Sequence, residues 1–485
     1  MHDRVFRNAL IYDGSGAPLF LGELALDGDR IAGLGPAGTI AAGAGSFEHD
    51  LYGRALAPGF IDAHTHYDRI VLDAPAMLPK ISQGVTSVVV GNCGISLAPA
   101  MFACDPPPPM NLLGGREAYT FPRFAAYADA VARAAPSLNL AALVGHSALR
   151  LATMKDIASK ASEGEMDAML AHADEAMAHG AIGFSTGLFY STNAGADADE
   201  VAQIAAPFAE HGGVCATNMR NESGRVLDSM DETLMTSKQA QIPLIVSHHK
   251  CAGPRNWGRT LETLPKLEAA AAGQPVNLDV YPYAAGSTNL RAHFVTDEYR
   301  IMIAWSRPYP EMTGRDLGAI AADWQVDIHQ AARRLDPAGA IYFQMDEADV
   351  RRVMCSPLAM IGSDGLPHDD HPHPRLWGTF PRVIGRYARD LGLFSIELAI
   401  HKMTGLPEKV FRLPERGRLL PGYFDGLTVF DLRTVIDRAT YDTPLLRSDR
   451  IEMVFVNGVL SFVGGAETDM PGRAGRLIGG RVGAR

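Results

Sequence analysis

The sequence predicts an α/β protein: a (β/α)8 TIM-like barrel over residues 58–414, a small β-sandwich domain built from residues 1–57 and 415–485, and a lid subdomain inserted at 285–345. Three observations predict it. Eight short apolar runs alternate with stretches of helical period, the pattern of parallel βα units. Each run finishes in polar or chemically capable residues, as barrel strands do at the face that carries active sites. The two ends of the chain share a different texture, short strands punctuated by Asp-Gly and Asn-Gly turns.

Taken in order, residues 8–12 and 23–26 read as strands, followed by Asp13-Gly14 and Asp27-Gly28-Asp29. The first barrel run, 58–61, leads to His64 and His66. Run 85–90 leads to Cys93, run 138–144 to His146, and run 181–184 to Ser185 and Thr186. Run 213–217 leads to Asn218, run 242–246 to His248, His249 and Lys250, run 276–280 to Tyr281, and run 358–361 to Asp364. Residues 165–178 and 200–210 are amphipathic helices between them. The stretch between Tyr281 and the eighth run is far longer than a βα loop. It is rich in aromatics (Trp305, Tyr309, Trp324, Tyr342, Phe343) and reads as the inserted lid. At the C-terminal end, 427–430 and 453–456 with Asn457-Gly458 repeat the strand-and-turn style of the N-terminus.

Composition narrows the class. A net charge of −11 argues against a nucleic-acid surface. Five scattered cysteines are a poor disulfide framework and fit a reducing, cytoplasmic setting. No basic leader with an apolar core opens the chain, and no uncharged apolar run reaches the roughly 18 residues of a membrane span.

The strand-end residues carry the chemistry. His64 and His66 are two apart, so on an extended backbone both imidazoles face one side with Thr65 turned away. A hydrogen-bonded pair at a strand end has the same spacing; the apolar strand before it and the other strand ends favour a metal. Imidazole, thiolate and carboxylate together suit zinc, with His64, His66, Cys93, His248 and Asp364 as ligands. Asp364 can also accept a proton from water. Lys250 shares the face of His248, and a guanidinium such as Arg375 grips a carboxylate with two hydrogen bonds. Tyr281 and Ser287 add hydroxyls. These groups suggest a small substrate bearing a carboxylate. The glycines flanking Asn92-Cys93 suggest close backbone approach to a bound species. His368, His371 and His373 read as an exposed, proline-stiffened loop.

The chain resembles the D-aminoacylases (N-acyl-D-amino-acid deacylases) of the amidohydrolase superfamily. The similarity runs nearly end to end, through PGFIDAHTH, SQGVTSVVVGNCGISLAP, VGHSALR, GAIGFSTGLFY, VSHHK, YPYAAGST, PAGAIYFQMDE and IGSDGLPHDDHPHPRLWGTFPRV. The resemblance implies zinc-dependent hydrolysis of N-acyl-D-amino acids. It implies a tight Zn2+ held by Cys93, His248 and a strand-5 histidine. A weaker second site would use His64, His66 and Asp364, with Asp364 as catalytic base. Lys250, Tyr281, Ser287 and Arg375 would hold the substrate carboxylate. At the strand-5 position this sequence has Asn218, in Ala216-Thr217-Asn218-Met219-Arg220. An amide oxygen is a weak zinc ligand, so Asn218 marks either an engineered change or natural divergence, with weakened activity expected. His249, next to His248, faces away and is no substitute. Neutral side chains such as D-Met or D-Leu are the expected substrates. N-acyl-D-glutamate or -aspartate is the alternative, through Arg291. A non-catalytic acyl-amino-acid binder is the alternative of another class.

Overall fold

The computed structural model describes residues 1–465 and 472–479. Residues 466–471 and 480–485, which the sequence reading assigns to the terminal β domain, lie outside the described residues. Along the chain, β1 (His2–Ile11), β2 (Phe20–Asp27), β3 (Arg30–Pro36), β4 (Gly45–Asp50) and β5 (Ala55–Pro58) come first. The barrel then begins with β6 (Phe60–Asp62) and β7 (Val85–Val90). A two-residue ribbon, β8 (Ala100–Met101) with β9 (Thr120–Phe121), follows. The barrel resumes with β10 (Asn139–Gly145), β11 (Gly183–Gly187), β12 (Val214–Asn218), β13 (Leu244–Val246) and β14 (Val276–Val280). After it come β15 (Gly286–Asn289), β16 (Ile301–Ser306) and β17 (Ala338–Tyr342), then the last barrel strand, β18 (Ala359–Ile361). β19 (Gly426–Phe430), β20 (Ile451–Val456) and β21 (Val459–Val463) end the series.

Eight parallel strands run β18-β14-β13-β12-β11-β10-β7-β6. The ends of this sheet meet just beyond the strands: Ala63 N donates to Ile361 O at 3.2 Å, Asp364 N to His64 O at 2.8 Å, and Thr65 bridges Gly365. Both faces are covered, so the strands are mainly apolar; all six residues of β7, Val-Thr-Ser-Val-Val-Val, are buried. Inside the barrel pack Ile61, Val89, Leu143, Ile182, Ala216, Ile245 and Met360. The helix Glu163–Ala178 starts at a capping box between Ser162 and Glu165, and Ala198–Glu210 starts where Asp197 accepts from Glu200 N at 2.9 Å.

β19 pairs antiparallel with β5, so both ends of the chain share one eight-stranded sheet around its own core of Phe6, Leu24, Leu56, Val429 and Phe455. β15, β17 and β16 form a separate antiparallel sheet between the seventh and eighth barrel strands. It packs on its own core, including Leu290, Ile303, Leu317 and Leu335.

Candidate metal centre

Three of the strand-end residues have a backbone that side-chain-bearing residues seldom adopt: Cys93 at φ 56°, His248 at φ 36° and Asp364 at φ 50°. Such strain persists only where neighbours over-determine it. Here each residue is clamped. Gly94 N donates to Ser185 Oγ at 2.9 Å, and that hydroxyl donates to Gly91 O, fixing the Cys93 turn. His248 N donates to Asp279 Oδ1 at 2.9 Å. Beside Asp364, Ser363 N donates to Asp62 Oδ1 at 2.8 Å, and buried Lys80 pairs with Asp62 at 2.9 Å while donating to Ser363 Oγ. A Cβ on Gly91 would lie 2.1 Å from Leu143 O, and one on Gly94 2.8 Å from Gly187 N. These glycines admit the close approach of the β10 and β11 backbones.

The donor atoms converge. Cys93 Sγ is 3.2 Å from His64 Nε2 and 3.3 Å from His248 Nε2. Asp364 Oδ1 is 3.2 Å from His66 Nε2 and 3.6 Å from His64 Nε2. Two groups result, His64–Cys93–His248 and His64–His66–Asp364, with His64 common to both. Five ligands expected from the sequence thus meet in one place. Asn218 lines the same cleft, and its Oδ1 is buried without a partner. Thiolate, imidazole and carboxylate donors around a common point fit zinc.

Burial and neighbouring charges act on the donors in opposite senses. Burial opposes ionisation of the Cys93 thiol, yet His64 and His248 hold it well below its ordinary value. Asp364 is likewise kept well below the carboxylate range, against burial, by Arg375 and His66. His248 is raised to about 9: burial and Lys250 oppose the charge, and Glu222 with Cys93 outweighs them. His64 Nδ1 lies 3.2 Å from Asp279 Oδ2, the carboxylate support that orients many metal-bound histidines.

The expected substrate groups are arranged around this point. Lys250, Tyr281 and Ser287 line the cleft with His66, Cys93 and Asp364. Lys250 Nζ is 2.7 Å from Glu222 Oε1. Arg375 is fully buried behind Asp364, pairing with Oδ2 at 2.8 Å, donating to Ser287 O at 3.3 Å, and lying 4.5 Å from the Tyr281 ring. β15 supplies Ser287 and Thr288 to the cleft wall, and the end of β17 supplies Tyr342, with Gln344 just beyond it.

Other strand-end residues are spent elsewhere. His146 is buried between Thr186 Oγ1 and Glu200 Oε1, both at 3.0 Å. His249 points away, bonding Thr263 Oγ1 at 2.8 Å. The His368–His373 loop differs from expectation: His373 is buried, accepts from Arg375 N at 3.0 Å and packs between Tyr283 and Tyr441. Sequence reasoning missed Glu222, Asp279 and the Lys80–Asp62 pair. Asp279, a lone acid inside the buried run Val-Asn-Leu-Asp-Val, carried a legible signal. Glu222, in the loop after β12, carried none.

A family model described as amidohydrolase family matches residues 48–329 and 315–462. The chain belongs to the amidohydrolase family. Within it, this amidohydrolase is 49% identical over 456 residues to D-aminoacylase of Alcaligenes xylosoxydans xylosoxydans, covering 94% of this chain and 93% of the relative. It is similar to a solved D-aminoacylase described with a binuclear metal centre, at TM-score 0.95, 46% identity, and 99% and 100% coverage of the two chains. It is also similar to N-acyl-D-glutamate deacylase of Bordetella bronchiseptica, solved with zinc and a phosphonate mimic of the tetrahedral intermediate: TM-score 0.93, 43% identity, 98% and 99% coverage.

Proposed function

We propose that this amidohydrolase hydrolyses N-acyl-D-amino acids to a carboxylate and a free D-amino acid, and that it does so with zinc bound among Cys93, His248, Asn218, His64, His66 and Asp364. One observation carries the reading: a cysteine–histidine–aspartate donor set shares a single cleft with Lys250, Tyr281 and Ser287. The first group suits an amide carbonyl, the second a carboxylate. Zinc, when bound, supplies a Lewis acid for the carbonyl and lowers the pKa of water.

The chain's own groups do the rest. Lys250 and the Tyr281 and Ser287 hydroxyls bind the substrate α-carboxylate, which orients the scissile bond. Asp364 takes the proton of the attacking water at Oδ1, the oxygen facing His66, and returns it to the leaving nitrogen. Arg375, paired to Oδ2, holds that carboxylate in place and keeps it ionised. The D-configuration comes to this chain from its relatives' activities.

Apolar walls from Leu112, Phe189 and Leu366 support neutral side chains such as D-methionine or D-leucine. Arg291 favours a second reading, acidic side chains. Its guanidinium lies 5.3 Å from the ring of Tyr190, a cleft residue, and donates to Phe189 O and Ser191 Oγ, both at 3.5 Å. Unpaired cysteines support a cytoplasmic setting. The test is hydrolysis of N-acetyl-D-methionine, its L enantiomer and N-acetyl-D-glutamate by zinc-loaded protein. Selective hydrolysis of D-methionine is expected. Preference for the glutamate substrate transfers the assignment to the second reading, and inactivity on both D substrates with zinc bound refutes the substrate class.

A further inference from the structure

Ser287 can hold a substrate carboxylate only by giving it the hydroxyl proton, and two acceptors already compete for that proton. Its Oγ lies 3.3 Å from Ala340 O and 3.4 Å from Asp369 Oδ2. A hydroxyl has a single proton to donate. The protonation state of Asp369 therefore decides where it goes. An ionised Asp369 can only accept, so it draws the Ser287 proton to itself and turns the oxygen's lone pairs toward the substrate. A protonated Asp369 donates to Ser287 Oγ, which leaves the Ser287 proton free for the substrate carboxylate.

Asp369 stands where it can do this. Its loop is tied to β16, with His371 N donating to Ala304 O at 2.9 Å. On one side its carboxyl touches the cleft through Ser287. On the other it lines a cavity of about 420 Å³ with Trp305, Arg307, His368 and the exposed Asp370. Its proton therefore exchanges with solvent from outside the cleft.

Charged groups from several elements face it. Arg375 Nη2 donates to Ser287 O at 3.3 Å, but the guanidinium is paired with Asp364 Oδ2 at 2.8 Å. Arg69 is engaged by Asp73 and Glu117, and Arg307 by Asp105. Burial lowers His368 to about 4, so it stays neutral near pH 7. Burial raises the Asp369 carboxyl to about 7 against the pull of Arg375, Trp305 and Ser287, and Asp370 adds to the rise.

We propose that Asp369 is a positioning residue for substrate binding: its neutral form donates to Ser287 and turns the Ser287 hydroxyl toward the substrate carboxylate. Loss of that proton to the cavity leaves an anion that keeps the Ser287 proton, and substrate affinity falls. The inference rests on reading Ser287 as a carboxylate ligand for N-acyl-D-amino acids; it adds the group that decides when Ser287 can bind.

The experiment measures KM and kcat for N-acetyl-D-methionine from about pH 6 to about pH 8.5, with zinc-loaded parent and Asp369→Asn. The Asn amide donates at every pH, as the protonated acid does. With only the neutral form competent, the parent KM is expected to rise roughly tenfold or more across the range. Asp369→Asn should hold KM within about threefold while kcat follows the same pH profile in both proteins. A purely structural role would alter stability or kcat without flattening the KM profile. If circular dichroism shows Asp369→Asn unfolded, Ser287→Ala replaces it, with KM raised at pH 6 and most of the rise with pH lost. A parent KM that is flat with pH, or that rises equally in Asp369→Asn, overturns the inference and leaves the substrate reading intact. No hydrolysis of any D substrate by either protein at any pH overturns the substrate reading, and this inference with it.

Discussion

Glu200→Gln tests whether the barrel is stabilised by a buried charge cluster outside the cleft. Glu200 Oε1 lies 3.0 Å from His146 Nε2 and pairs with Arg150 Nη1, and all three side chains are fully buried. Oε2 accepts from Ala161 N at 3.2 Å. Burial raises the pKa of the carboxyl, but His146 and Arg150 bring it from 4.5 down to about 2. At 1.36 kcal/mol per pH unit, that fall amounts to about 3 kcal/mol of stability. Removing one partner of a buried ion pair costs about the same, 3–5 kcal/mol. Unfolding entropy near 2.1 cal/mol/K per residue gives a 485-residue chain about 1 kcal/mol/K, so the midpoint of thermal unfolding falls by about 3 °C. The sign of the pH dependence follows from a folded pKa below the unfolded one. The stabilisation is complete above pH 4.5 and is lost as pH falls toward about 2, through which range the variant and parent converge. Calorimetry at pH 7 and across that acid range measures both. A midpoint within 1 °C of the parent at pH 7 would refute the reasoning.

Three further outcomes are expected. Glu222→Gln leaves Lys250 and His248 without their shared carboxylate and should lower kcat/KM by about 10–100-fold in the N-acyl-D-amino acid assay; unchanged kinetics would remove Glu222 from the site. Lys402 is buried, donates to Ser356 O and Ala359 O, and is lowered by burial from 10.5 to about 8. The unfolded chain then binds more protons between pH 8 and 10.5, so stability contributed through Lys402 rises by about 3 kcal/mol across that window; Lys402→Met should abolish that rise in chemical denaturation, and an unaltered slope would contradict it. Gly91→Ala places a Cβ against Leu143 O at a φ of 77° and should destabilise by more than about 1 kcal/mol, judged by urea midpoint.

The barrel was legible because its physics is local and repeated. A buried parallel strand is mainly apolar, and its C-terminal end must leave the sheet, so every run announced a strand and the polar residue after it. The convergence of His64, His66, Cys93, His248 and Asp364 was readable for the same reason, since barrel closure brings all strand ends to one rim. What supports them was hidden. Glu222 reaches Lys250 and His248 from a loop with no periodicity. His146 has the same sequence appearance as His248, and only the partner Glu200, fifty-four residues on, decides that it is structural. Arg375 was expected at the substrate carboxylate, whereas its pairing with Asp364 depends on a loop and helix whose path no local pattern fixes.

The pairing of β19 with β5 bears on the order in which the chain can be built. β5 runs through Gly59 directly into β6, and His64 and His66 follow within a few residues. During synthesis those residues emerge early, but β5 obtains its β19 neighbour only after residues 426–430 have left the ribosome, and β6 meets β18 only after residues 359–361. Histidines made among the first are therefore fixed among the last. A ribosome-stalled chain ending before residue 359 should leave its histidine pair without the Ile361, Asp364 and Gly365 contacts that fix it.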